Sequence, residues 1–153
     1  MQPFPHHYSV SAAATDQGEV ALNADRLPVL VSAPPTEFDG PGNCWSPETL
    51  LVAAVADCFV LTFRAIARGS KVQWTRVTCE ASGTLDRVDR VAQFTALSVR
   101  VSLEVPDGTD EEQATRLLQR AEQNCLITNS LKAPCHLESR IRVTQPGGLY
   151  VGR

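Results

Sequence analysis

The chain has 153 residues, 43 % apolar and 20 % charged, with a formal net charge of −3. That length fits a single domain over residues 1–153, with a folded part at 7–143 and a tail at 144–153. The acidic balance leaves no basic stripe for nucleic acid, and the longest apolar run, Leu50–Phe63, is broken by Asp57, Cys58 and Thr62 and reads as too short for a membrane span. The N-terminus lacks the charged-then-apolar pattern of a secretory signal, so a cytoplasmic address is expected.

In chain order, residues 7–33 read as short strands: Tyr8–Ala12 alternates, and Val20–Leu22 and Val29–Val31 follow turn residues. Ser32–Asn43 is rich in proline and glycine and reads as a loop. A long apolar helix follows over Ser46–Gly69. Ser46 suits its N-cap, Pro47 its first turn and Gly69 a left-handed C-terminal position, while Arg64 and Arg68 complement the negative end of the dipole.

Val77, Cys79 and Ala81 then share one strand face. Leu97, Val99, Val101, Leu103 and Val105 alternate with polar residues, the mark of a half-buried antiparallel strand. Thr109 to Glu112 reads as a capping box, opening a helix whose apolar stripe is Ala114, Leu117, Leu118 and Ala121. Cys125 opens a turn after that helix. A last strand places Leu137, Ile141 and Val143 opposite Glu138, Arg140 and Arg142. Strands in separate runs, divided by helices, predict an α+β fold.

Five cysteines at irregular spacing read as free or reactive thiols in a reducing compartment. Cys58 lies within the long helix and Cys125 at the end of the second, a nucleophile and a partner thiol on two helices. Cys79 falls on an apolar strand face and reads as core; Cys44 lies in a loop and reads as incidental. Cys135-His136 lacks the paired spacing of a metal site, and no metal or cofactor is expected. Glu48 has a plain role open to it as a first-turn acid at the helix dipole. If Glu48 also serves Cys58, the ten residues between them, about 15 Å along a helix, require that it do so in a second copy of the chain.

Ser46-Pro47-Glu48-Thr49-Leu50-Leu51 with Cys58-Phe59 beyond, and Cys125 through Ala133 (CLITNSLKA), together resemble the two signature segments of the OsmC/Ohr superfamily. Leu126 stands where that family commonly has proline. The resemblance covers about Tyr8 to Val143 and implies an OsmC-like fold: antiparallel sheets, a long central helix and an intertwined homodimer. It also implies thiol-dependent reduction of organic hydroperoxides, with Cys58 attacking to form a sulfenic acid and Cys125 resolving it as a disulfide, recycled by a dithiol or lipoyl-type reductant. Glu48 matches the family's helix glutamate, and Phe59 is carried over as a substrate contact. The family's arginine positions hold other residues: Asp16, Gln17 and Glu19 in the first hairpin, and Glu37 before Phe38-Asp39-Gly40. Arg26 is the nearest substitute in sequence, as a substrate-binding cation. The second reading is a non-catalytic dimer of the same fold that binds a small apolar ligand or senses oxidation.

Overall fold

The computed structural model describes residues 2–145, and the expected tail lies outside them from residue 146 onward. The chain divides into two compact units, Met1–Leu51 and Val52–Arg153. The first holds a three-stranded antiparallel sheet of β1 (Ser11–Ala13), β2 (Val20–Asn23) and β3 (Leu30–Ser32), in that order. The first strand is shorter and later than the alternation of Tyr8–Ala12 suggests. The loop after β3 contains a 3-10 turn at Thr36–Phe38 and is tied back by an Ala33 N–H to Trp45 O bond of 2.9 Å. Gly40 is obligatory there, because a Cβ would lie 1.6 Å from the Pro34 carbonyl oxygen.

Helix α1 (Pro47–Arg68) begins at the end of the first unit and runs into the second. Ser46 caps it: the Thr49 N–H donates to Ser46 Oγ at 3.1 Å, and the Ser46 N–H donates to Thr49 Oγ1 at 2.8 Å. The C-terminal end differs from expectation. Gly69 does not adopt the left-handed conformation; its N–H bonds Ile66 O at 3.2 Å, so the last turn closes in 3-10 fashion. The helix is also long and apolar enough to cross a membrane by length and composition, with a mean hydropathy of 2.0 over a window 22 % buried. Asp57 and Thr62 interrupt the apolar run in sequence but are too few to lower that average.

The second unit is built on the sheet β4 (Arg76–Val88), β5 (Val91–Pro106) and β6 (Cys135–Thr144), with β5 central. β4 and β5 form a long antiparallel hairpin closed by Asp89 and Arg90, whose φ values of 50° and 70° give the two-residue turn a twist that suits the strands. Gly83 faces Phe94 across the hairpin; a Cβ would lie 2.7 Å from its ring, so the glycine makes room for the aromatic side chain. β6 pairs with β5 in parallel, from Leu97 with Cys135 to Pro106 with Thr144. The sheet is therefore mixed, a correction to the expected antiparallel sheets.

The apolar face of β5 is the centre of the core. Leu97, Val99, Val101, Leu103 and Val105 are buried together with Val55, Phe59, Phe63 and Ala67 of α1. Ala114, Leu117, Leu118 and Ala121 of α2 (Glu111–Gln123) join the cluster, as their helical spacing predicts. Burying each phenylalanine contributes about 2–3 kcal/mol. Phe63 also meets Trp74 edge to face, with ring centroids 5.3 Å apart. The cap of α2 is Asp110 rather than Thr109: Asp110 Oδ1 accepts from the Gln113 N–H at 3.0 Å, while Thr109 Oγ1 donates to Pro106 O. The segment after Cys125 is a short helix, α3 (Leu126–Asn129), instead of an open turn. On β6, Leu137 and Ile141 are partly buried, whereas Val143 is 43 % exposed.

Candidate active site

In the first unit, Glu48 stands in the opening turn of α1, where its charge favours the helix dipole. Its Oε2 is buried and has no hydrogen-bond partner among the described residues. A buried carboxyl oxygen without a donor is costly. Arg26 occupies a turn at φ 60° with its side chain 90 % exposed and pairs with Asp25 at 3.1 Å. A pair so exposed adds little stability and leaves the guanidinium open to solvent. Cys44 donates to Glu19 Oε1 at 3.5 Å, also within this unit.

In the second unit, α1 and the start of α3 bring two thiols together. Cys58 is half-buried and Cys125 is 1 % exposed, and both are free. Cys125 is the N-cap residue of α3 and makes no side-chain cap bond, and it lies near enough to Cys58 to act on its thiol. Four residues along α1, on the same helix face, Thr62 Oγ1 lies 3.9 Å from Cys58 Sγ. The backbone of Ile127, in the first turn of α3, also donates toward that sulfur.

These neighbours pull in opposite directions. Burial is the largest influence and raises the Cys58 pKa; the Ile127 amide and the Thr62 hydroxyl lower it, and Cys125 raises it. Burial prevails, so the thiol sits above its ordinary range. No charged side chain among the described residues enters the balance. Phe59, next in sequence, is 1 % exposed and belongs to the core. Neighbours on a helix point about 100° apart, so the ring anchors the helix in the core while the Cys58 side chain points elsewhere.

Cys79 and Cys135 lie on the inner face of the sheet, packed against the core as partly buried side chains. Burial, then the nearby Cys125 and Cys135, pushes Cys79 up to about 11. Burial and the charge of Glu122 raise Cys135 as well. Both are held as neutral thiols, and the core reading of Cys79 agrees with its packing. Thr62 and Ile127 were not singled out from sequence. Thr62 was accessible as the residue four positions from Cys58 on one helix; Ile127 acts through its backbone, which no residue identity reveals.

The family profile described as OsmC-like protein matches residues 40–140. Among curated proteins, peroxiredoxin OsmC of Escherichia coli is 27 % identical over 107 residues, covering 70 % of this chain and 73 % of its own. Among solved structures, an OsmC-like protein of unknown function from Vibrio cholerae superposes with a TM-score of 0.81 at 18 % identity, over 89 % of this chain and all of that one. An organic hydroperoxide resistance protein OsmC from Legionella pneumophila gives 0.69 at 23 % identity, over 92 % of this chain and all of the other. With both signature segments inside a profile match that spans most of the chain, the protein belongs to the OsmC-like family.

Proposed function

We propose that the protein is a thiol-dependent peroxidase that reduces organic hydroperoxides. The observation that carries this reading is the half-buried Cys58 on α1 with the buried Cys125 thiol near enough to act on it. The Cys58 thiolate attacks the distal oxygen of the hydroperoxide; the O–O bond breaks, the alkoxide leaves and takes a proton, and Cys58 becomes a sulfenic acid. The Cys125 sulfur then displaces hydroxide from the Cys58 sulfur, releasing water and leaving a disulfide. A dithiol, of which a lipoyl group is one form, returns both cysteines to thiols and leaves oxidised. The relationship to a peroxiredoxin of Escherichia coli supports the reaction class.

In this reading the chain acts as one domain, and its working form is a homodimer in the cytoplasm. The apolar α1, with Leu61 51 % exposed, gives the second copy a surface to cover. Glu48 and Arg26 serve the site of the neighbouring copy, Glu48 through its unpartnered oxygen and Arg26 as a cation for the substrate. A redox-sensing or ligand-binding dimer is the second reading, favoured by the raised Cys58 pKa. Turnover of cumene and tert-butyl hydroperoxide, measured against hydrogen peroxide with a dithiol reductant, decides between them. Faster reduction of the organic substrates is expected; no turnover with any of the three removes the enzyme.

A further inference from the structure

We propose that Thr62 stabilises the thiolate form of Cys58, so that a neutral hydroxyl on the same helix offsets part of what burial costs that form. The inference rests on reading Cys58 as the attacking thiol. Three observations converge on it. Thr62 Oγ1 lies 3.9 Å from Cys58 Sγ, and among the described residues that sulfur is its hydrogen-bond partner. A helical threonine commonly turns its hydroxyl back to the carbonyl four residues earlier; here it is directed at the side chain there instead. The site is half-buried, where a hydrogen bond to an ionised sulfur is stronger than in water. The Ile127 amide adds a second neutral donor from α3.

The surroundings of Cys58 leave this task to neutral donors. Cys125 is near enough to act on it and, when ionised, opposes a second negative charge. Asp57 and Arg64 on α1 are exposed and do not act on it. Cys125 acts on Cys79 of β4 and on Cys135 of β6, and Glu122 of α2 acts on Cys135. Thr62 is thus a donor that can turn from accepting the thiol proton to giving its own to the thiolate. Its hydroxyl does both without moving the helix, because a hydroxyl rotates about one bond.

The test is the pH dependence of Cys58 alkylation in the full chain, resolved by peptide mapping from about pH 6 to about pH 10. Thr62→Val keeps the shape and removes the hydroxyl. Its midpoint should rise by about half a pH unit or more, so that alkylation at neutral pH slows about threefold or more. Thr62→Ser should restore the original midpoint, which a packing defect would not do. An unchanged midpoint in a folded Thr62→Val protein overturns the proposal, as does a shift that Thr62→Ser fails to reverse. Hydroperoxide turnover by the unaltered protein is measured in parallel. If turnover is absent while the Thr62→Val midpoint still moves, the peroxidase reading falls and the role of Thr62 stands.

Discussion

Cys58 Sγ and Thr62 Oγ1 lie 3.9 Å apart on one face of α1, and among the described residues no charged side chain acts on that sulfur. The consequence is a pH profile. Burial holds Cys58 protonated at neutrality, so only a minor fraction is thiolate, the form that attacks peroxide. The rate of hydroperoxide consumption in a single turnover should therefore climb about tenfold per pH unit through the neutral range and level off only above the ordinary thiol range. Stopped-flow measurement checks this, and a profile already flat near pH 7 would mean that a cation reaches Cys58 when two copies associate. Arg26→Ala then tells whether Arg26 is that cation: the flat profile would become sloped.

Covalent state gives the second prediction. One equivalent of cumene hydroperoxide should produce an intrachain Cys58–Cys125 disulfide, with Cys79, held near 11 by burial, remaining a thiol. Cys58→Ser should abolish both bridge and turnover. Cys125→Ser should leave the first step intact and stall Cys58 as a sulfenic acid, which excess peroxide carries on to sulfinic acid. Mass spectrometry of the oxidised peptides distinguishes these products; a Cys58–Cys44 bridge would show that Cys44, not Cys125, is the resolving thiol.

The elements that carry core were legible because their periodicity is imposed by burial. Leu97 to Val105 alternate since one sheet face meets α1 and α2, and Ala114 to Ala121 recur at helical spacing for the same reason. The outer half of the β4–β5 hairpin was not legible, because residues 82–92 are exposed and no burial pattern marks them. The parallel pairing of β6 is a choice of neighbour, and nothing in the alternation of Leu137 and Ile141 encodes it. The site divides in the same way. Cys58 and Cys125 announce themselves by residue type and by the segments around them. Thr62 is an ordinary helix residue until its oxygen is seen beside the sulfur, and the contribution of Ile127 is made by its backbone.

The cap of α2 tests a one-residue correction. Thr109 and Asp110 are both capping types, but only Asp110 accepts the Gln113 N–H. Asp110→Ala should cost about 1 kcal/mol in chemical denaturation. Thr109→Ala should cost less, because its hydroxyl bonds the turn at Pro106 O and not the helix. The reverse order would restore Thr109 as the cap. Phe63→Ala, in the centre of the core, provides the scale of a severe loss, about 3–5 kcal/mol.

The last prediction concerns the surface that α1 leaves open. Four of its residues are buried in this chain, Val55, Phe59, Phe63 and Ala67, while Leu61 is 51 % exposed on a helix apolar enough to pass for a membrane span. In water such a surface calls for a partner, and a second copy offers the same stripe to it. Sedimentation should find a dimer at micromolar concentration with no stable folded monomer, since obligate interfaces of this kind bury about 2,000 Å² or more. Leu61→Asp places a charge in that interface and should dissociate it, lowering thermal stability and making it depend on protein concentration. Hydroperoxide turnover should fall in step with the fraction of dimer. A folded, active monomer would remove both the interface and the shared site.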